Sequence, residues 1–250
     1  MAPRIAIPVP HSTDVDYARR ALPQYETAIM ASGGEPVQID PDRDASEILA
    51  LLEDCGGVLL PGSKADVDPS KFRQPRSPRT AAADPHRETI DSLLIQDAYK
   101  HRKPLLGICY GLQSLNVFRG GSLVQHIPDF LPEAVRTKVN HEAGKAVAIA
   151  HSVAIDADSQ LAKIVADQEG SPSESGLFCI PVNSSHHQSA DQIGEGLRVV
   201  ARCPDDAIVE ALEGTAADHF VLAVQWHPER SVGEDEASRA IFRALVGAAR

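Results

Sequence analysis

The chain has 250 residues, of which 43% are hydrophobic and 24% are charged, as in an ordinary globular protein. Its 24 Lys and Arg against 35 Asp and Glu give a formal net charge of -11, and no basic stripe stands out. Because nucleic acids and anionic membranes are bound through clustered positive charge, we expect neither as a partner.

The first half of the chain alternates short apolar strands with helices. Ser46 is predicted to cap the second helix, and Pro23 predicts a kink or a split in the first. Wholly apolar strands in this βαβ rhythm predict a parallel sheet covered on both faces. The predicted strands are 4–9, 36–39, 57–61 and 104–108, and the predicted helices are 14–31, 46–54, 87–101 and 110–119.

The second half is predicted to be richer in strands, joined by short turns and closed by a helix over 234–249. With no internal repeat and no linker, we predict one domain over residues 1–250. The polar, Pro-rich residues 61–86 form a long loop, which either covers a substrate or is a surface insertion. The predicted strands are 146–155, 196–203, 208–213 and 220–229.

Neither a membrane span nor a secretory signal is predicted. No segment approaches the roughly 18 to 20 apolar residues that a span needs, and Pro8 and Pro10 interrupt the apolar stretch near the N-terminus. The cysteines are scattered and form no CxxC pair, which argues against a disulfide framework or a zinc site. We expect a cytoplasmic protein with free thiols, no metal and no cofactor. The four cysteines are Cys55, Cys109, Cys179 and Cys203.

One cysteine stands at the junction of a strand and a helix. In PLLGICYGLQSLN, Cys109 lies between Gly107 and Gly111. A nucleophile on a tight strand-to-helix turn needs small residues at these two positions, and the N-terminus of a helix favours a thiolate. A buried cysteine that only packs is the alternative interpretation.

A base for this thiol is predicted at the end of the apolar segment FVLAVQWHPE. His227 ends the segment and Glu229 follows two residues later, on the same side of an extended chain. The carboxylate could then orient the imidazole towards a nucleophile, as in a catalytic triad. A strand end with a turn proline and a solvated Glu229 is the alternative.

Four segments together resemble one family. LPGSKADVDPSKF is similar to its LPGG-x-DVxPxxY segment, and the stretch from DPHRETID to GICYGLQSLNVFRGGSLVQHI is similar to the segment around its nucleophile. VNSSHHQS and AVQWHPE follow in the expected order. The sequence resembles the class I glutamine amidotransferases, and within them the γ-glutamyl hydrolase and γ-glutamyl-γ-aminobutyrate hydrolase branch, peptidase C26.

The resemblance implies a flavodoxin-like α/β fold with a parallel core sheet, flanking helices and additional antiparallel strands in the second half. It implies Cys109 as nucleophile, His227 as base and Glu229 as orienting residue. The implied reaction is hydrolysis of a small-molecule γ-glutamyl amide through a thioester, without a cofactor. A homodimer is left open.

Further site residues follow from the same resemblance. The oxyanion donors would be the backbone N–H of Tyr110 and that of Gly62 or Ser63, and substrate contacts would come from Gln113 and His186. Tyr110 replaces an Arg common in the branch, which predicts weaker attraction for anionic amine portions of the substrate.

Two other functions remain open at this stage. The chain could be a glutaminase subunit that supplies ammonia to a separate synthetase, or a non-catalytic binding member of the family. Intact Cys109, His227 and Glu229 weigh against the non-catalytic alternative.

Overall fold

A mixed sheet runs through the protein, whose computed structural model describes residues 1–169 and 177–250, without the side chains of residues 166–169. The strands are β1 (Arg4–Pro8), β2 (Glu35–Ile39), β3 (Gly57–Leu60), β4 (Leu105–Ile108), β5 (Leu123–Val124), β6 (His151–Asp156), β7 (Leu177–Val182), β8 (Ser189–Ala190), β9 (Leu197–Arg202), β10 (Val209–Gly214) and β11 (Val221–Val224). The strand order in the main sheet is β2-β1-β3-β4-β11-β10-β9-β6-β7, and β5 pairs with β8 separately.

Helices flank this sheet, and two short 3-10 turns, Pro69–Phe72 and Pro228–Arg230, complete the regular structure of the described residues. The helices are α1 (Val15–Ala31), α2 (Ala45–Glu53), α3 (Pro85–His101), α4 (Tyr110–Phe118), α5 (Ile127–Phe130), α6 (Glu133–Arg136), α7 (Gln160–Glu169) and α8 (Glu236–Ala248). None of these described helices is long and apolar enough to cross a membrane.

In this order, neighbouring strands pair in parallel along β2-β1-β3-β4-β11 and antiparallel along β11-β10-β9-β6-β7. The predicted fold class, an α/β sheet with a parallel core and additional antiparallel strands, is therefore confirmed. β4 lies between β3 and β11, with Leu60 opposite Gly107 and Val224 opposite Ile108. Because these three strands are parallel, their carboxyl ends meet at one edge of the sheet.

The core occupies both faces of the sheet because successive side chains of a strand point to opposite sides. Ile5 and Ile7 pack with α1 and α8 on one face, whereas Ala6 packs with α2 and α3 on the other. All three side chains are fully buried. Burying one such large aliphatic side chain stabilises the fold by about 1.5–3 kcal/mol.

Several local predictions were wrong. Asp44, not Ser46, caps α2, in a capping box with Glu47. Of the kink or split predicted at Pro23, the split is absent, because α1 runs unbroken across Pro23 with Leu22, Tyr25 and their neighbours packed in the core. The last predicted strand ends at Val224, and α7 and β7 separate β6 from β9, where short turns were predicted.

Residues 61–86 are anchored to the rest of the fold. Val67 and Phe72 are buried, the backbone N–H of Asp68 donates to Glu88 Oε1 at 2.7 Å, and that of Ser77 donates to Gln125 Oε1 at 2.8 Å. The sequence predicts that residues 171–189 also flank the mouth of a pocket at Cys109, but residues 171–176 lie outside the described part of the chain.

Candidate active site

Cys109 occupies a strained turn between β4 and α4. Its φ of 53° and ψ of −104° are unusual for a residue with a side chain, and such a conformation costs on the order of 1–3 kcal/mol. The turn requires both flanking glycines. A Cβ at Gly107 would lie 2.9 Å from the carbonyl of Gly111, and a Cβ at Gly111 would lie 2.1 Å from the Leu60 carbonyl oxygen.

Residues following the three parallel strands meet at this turn. A Cβ built on Gly62, which follows β3, would lie 3.6 Å from Cys109 Cβ and 3.0 Å from His227 Cε1. The Gly62 position therefore borders both the thiol and the imidazole. Its backbone N–H donates to the hydroxyl of Tyr25, on α1, at 3.1 Å.

The imidazole of His227 is held by its neighbour two residues later. His227 Nδ1 lies 2.8 Å from Glu229 Oε1, and both side chains are almost fully buried. The sequence predicts that the two side chains share one side of an extended strand. Instead, a 3-10 turn over Pro228–Arg230 brings the carboxylate under the ring.

Asn183, which follows β7, fixes the backbone of His227 from the other side. Its Nδ2 donates to the His227 carbonyl oxygen at 2.9 Å, and its Oδ1 accepts from the His227 N–H at 3.0 Å. Asn183 lies in the VNSSHHQS segment, but the sequence analysis assigned it no role. A side-chain amide can pair with a backbone N–H and carbonyl at once, and this partner cannot be recognised before the fold is known.

Burial decides the resting protonation of the pair. It raises the pKa of the Cys109 thiol to about 12, although Arg230 acts in the opposite direction. It also lowers the pKa of His227, although Glu229 opposes this effect. At neutral pH the resting pair is therefore a thiol and a neutral imidazole. The predicted preference of a helix N-terminus for thiolate is outweighed by desolvation.

Two predicted contacts have surroundings that differ from those expected. Gln113 is buried, and its Nε2 donates to the carbonyl oxygen of Gln188 at 3.2 Å and to Gln225 Oε1 at 3.3 Å. His186 is directed away from solvent: its Nδ1 pairs with the Gln188 carbonyl oxygen at 2.9 Å, and its Nε2 faces Glu210. These neighbours favour a structural role for His186 over the predicted contact with substrate.

Tyr110 stands where the branch commonly has an arginine. Its ring is buried with Val67, Phe72 and their neighbours, and the guanidinium of Arg87 lies 5.0 Å from the ring centroid. The side chain therefore packs in an apolar cluster and brings no charge to the site. Its backbone N–H, by contrast, follows the nucleophile directly at the start of α4.

Three cationic side chains lie near the site, and the sequence analysis assigned them no role. Lys64 and Lys145 place their Nζ atoms 5.2 and 5.6 Å from the ring centroid of Tyr17. Burial raises the pKa of Tyr17, and the neighbouring Cys109 and Glu229 add to the effect. Arg230 lies 3.6 Å from Glu229 Oε1. Lys64 is also paired with Asp14 at 3.1 Å, so the charges around the site are mixed.

Comparisons with known proteins agree with this architecture. The chain is 35% identical over 226 residues to the Mycobacterium tuberculosis protein "Putative glutamine amidotransferase Rv2859c", covering 90% of this chain and 66% of that protein. It is 32% identical over 229 residues to the γ-glutamyl-γ-aminobutyrate hydrolase PuuD of Escherichia coli K12, covering 90% of this chain and 84% of the relative.

A solved structure shares the fold. The glutaminase domain of a Trypanosoma brucei CTPS, with bound acivicin, matches with a TM-score of 0.59 at 18% identity, covering 98% of this chain and 94% of that one. The fold and the relatives define a class I glutamine amidotransferase-like protein. Within that class, the chain belongs to the Peptidase C26 family, whose model matches residues 7–229. This membership supports a hydrolase or amidotransferase activity.

Proposed function

We propose that the protein hydrolyses a γ-glutamyl amide through a thioester on Cys109, releasing glutamate and an amine. The observation that carries the proposal is the meeting of Cys109, Gly62 and the His227–Glu229 pair at the carboxyl ends of three parallel strands. Ligands of open parallel sheets bind at this edge. The named γ-glutamyl-γ-aminobutyrate hydrolases among the relatives supply the substrate class.

The first step transfers a proton as the carbon–sulfur bond forms. Because the thiol and the imidazole both rest uncharged, His227 takes the proton of Cys109 while the sulfur attacks the γ-carbonyl carbon. Glu229 then faces an imidazolium, whose charge it stabilises through the bond to Nδ1. Collapse of the tetrahedral intermediate breaks the carbon–nitrogen bond, and His227 returns the proton to the departing amine.

Backbone N–H groups stabilise the negative oxygen of that intermediate. The N–H of Tyr110, at the start of α4, provides one donor. The Gly62 N–H already donates to Tyr25, which favours the N–H of Ser63 as the second. Water, deprotonated by His227, then attacks the thioester carbonyl. Collapse of this second intermediate breaks the carbon–sulfur bond, His227 returns the proton to the sulfur, and the products are glutamate and the free thiol.

The amine portion of the substrate would contact two loops, the one after β3 and the one between β7 and β8, which also contact each other. Asp66, in the loop after β3, pairs with His187 at 3.0 Å, and the side chain of Gln125 accepts from Ser77 while its carbonyl oxygen accepts from Gln188. Binding energy from this remote part of the substrate can increase the rate at the γ-carbonyl. Lys145, whose Nζ lies 5.6 Å from the ring centroid of Tyr17 beside the site, would favour an amine portion that carries a carboxylate.

The experiment compares kcat/KM for free glutamine, γ-glutamyl-γ-aminobutyrate, a γ-glutamyl polyamine and a γ-glutamyl aromatic amide at fixed ionic strength, with Cys109→Ala as the blank. We expect kcat/KM to be higher for all three amides than for glutamine, and highest for γ-glutamyl-γ-aminobutyrate, whose amine portion carries a carboxylate. If glutamine matches or exceeds them, the chain is better explained as an ammonia-supplying glutaminase, which the amidotransferase-named relatives favour.

A further inference from the structure

A cluster of buried side chains that the proposed reaction does not use includes one histidine of the VNSSHHQS segment. It consists of His141, after α6; His151, which begins β6; His186, between β7 and β8; and Glu210, on β10. The four side chains are no more than 3% exposed. One nitrogen from each histidine and a carboxylate oxygen all lie within 4.8 Å of one another.

The inward atoms converge without bonding to each other. His141 Nδ1, His151 Nε2 and His186 Nε2 lie 3.4, 3.5 and 3.6 Å from Glu210 Oε1. Among the described residues, none of these four atoms has a hydrogen-bond partner, and neither does Glu210 Oε2. Buried polar atoms are almost always paired, so a group of unpaired polar atoms in one place indicates a shared partner.

The spacing fits a metal ion. Ligands at 2.0–2.2 Å in tetrahedral geometry stand about 3.4 Å apart, which is the separation of the histidine nitrogens from Glu210 Oε1. The same separation is too long for good hydrogen bonds. Three imidazoles and one carboxylate form a four-ligand set of the kind that zinc accepts.

The outward nitrogens of the histidines are arranged as in metal sites. His141 Nε2 pairs with Asp206 Oδ2 at 2.8 Å, His151 Nδ1 with the Ser152 carbonyl oxygen at 3.1 Å, and His186 Nδ1 with the Gln188 carbonyl oxygen at 2.9 Å. Each acceptor keeps a proton on the outward nitrogen and leaves the inward lone pair free. Such acceptors orient the histidines of metal centres.

The charge of the cluster and its access to a cavity also fit a metal ion. A divalent ion would balance the two carboxylates, Glu210 and Asp206, that share this buried region. His141 and His186 also line a cavity of about 330 Å³ together with Ile127, Leu131 and Val139, which gives an entry path. We propose that His141, His151, His186 and Glu210 form a structural zinc site.

The site would hold the segment that supports the catalytic base. His186 lies between Asn183, which fixes the His227 backbone, and Gln188, whose carbonyl oxygen accepts from Gln113. Because all four positions of a tetrahedral ion would be filled by protein, the ion would stabilise this loop and not activate water.

Zinc content tests the proposal on the full-length protein. The protein is stripped with a chelator, dialysed against Zn²⁺ and analysed for bound metal. We expect one zinc per chain in the wild type, and affinity lowered by about 10- to 100-fold or more in His151→Ala and in the near-isosteric Glu210→Gln. His219→Gln is the matched control, because His219 is buried outside the cluster, on the Lys103 carbonyl oxygen, and it should bind one zinc.

Substoichiometric zinc in the wild type, or equal binding by the His151 and Glu210 variants, would overturn the proposal. Two readouts on the wild type need no variant: Co²⁺ should give a tetrahedral visible spectrum, and Zn²⁺ should raise Tm. An octahedral spectrum or an unchanged Tm counts against the site. His141 also lies near Cys203 and Asp206, so zinc lost in Cys203→Ser but kept in His151→Ala would place the ion elsewhere and refute the assignment.

Discussion

The side-chain amide of Asn183 makes two reciprocal hydrogen bonds with the backbone of His227, one to its carbonyl oxygen and one from its N–H. Both residues are buried. The backbone of the proposed base is thus fixed by a residue 44 positions away, while its ring is fixed by Glu229. The position of the imidazole therefore depends on two parts of the chain.

Replacing Asn183 should impair turnover more than binding. Two hydrogen bonds of about 1 kcal/mol each correspond to a loss of roughly 10- to 100-fold in kcat for Asn183→Ala, with KM little changed. Asn183→Asp keeps the acceptor for the His227 N–H and should fall in between. The control is Ser231→Ala, which removes only the more distant contact at 3.3 Å. A rise in KM at constant kcat would contradict the positioning role.

Removing the thiol should abolish turnover without unfolding the protein. Cys109→Ala and Cys109→Ser should lower kcat by about 10³-fold or more, as for nucleophiles of other triads. Cys179→Ser is the matched control, because Cys179 is an exposed thiol on β7. Circular dichroism establishes that the variants are folded. Retention of more than a few per cent of wild-type turnover by Cys109→Ala would refute the proposed mechanism.

The pH dependence of kcat/KM should report His227. The base must be uncharged to accept the thiol proton, so activity should fall as pH decreases through the pKa of His227, which burial lowers from its ordinary value. No further rise from ionisation of Cys109 is expected near neutral pH, because its pKa is about 12. A main rise in activity well above pH 7 would indicate instead that thiolate formation controls the rate.

Glu229→Gln should shift that acid limb in a defined direction. The carboxylate raises the pKa of His227 against the effect of burial, so its removal should move the limb to lower pH. The maximal rate should fall, but less than in His227→Asn, since an orienting residue contributes less than the base. A limb that moves to higher pH, or equal and negligible losses in both variants, would exclude this assignment of roles.

The turn at Cys109 should not tolerate a side chain at Gly111. A Cβ there would lie 2.1 Å from the Leu60 carbonyl oxygen, so Gly111→Ala should destabilise the fold by about 3 kcal/mol or more. Gly247→Ala is the control: it lies in α8, and apart from its own helix backbone and chain neighbours no described atom lies within 4 Å of the added Cβ, so alanine should stabilise the helix by up to about 1 kcal/mol. Thermal unfolding measures both, and equal Tm values would contradict the steric argument.

The parallel half of the fold could be predicted from the sequence because its signals are local. Apolar runs such as GVLLP and PLLGI leave few arrangements other than buried parallel strands, and the glycines around Cys109 mark a tight turn. The strands between residues 146 and 213 were less predictable. Their partners are distant in the chain, and α7 and β7 intervene between β6 and β9.

The sequence by itself determined which residues carry the proposed chemistry: a thiol between two glycines, and a histidine followed two residues later by a glutamate. Only the tertiary structure decided how they are held. The turn after Pro228, the amide of Asn183 and the desolvation that keeps Cys109 protonated all depend on neighbours from other elements. The histidine cluster shows the same limit, because His141, His151, His186 and Glu210 have no shared spacing and meet only when the antiparallel half of the sheet closes.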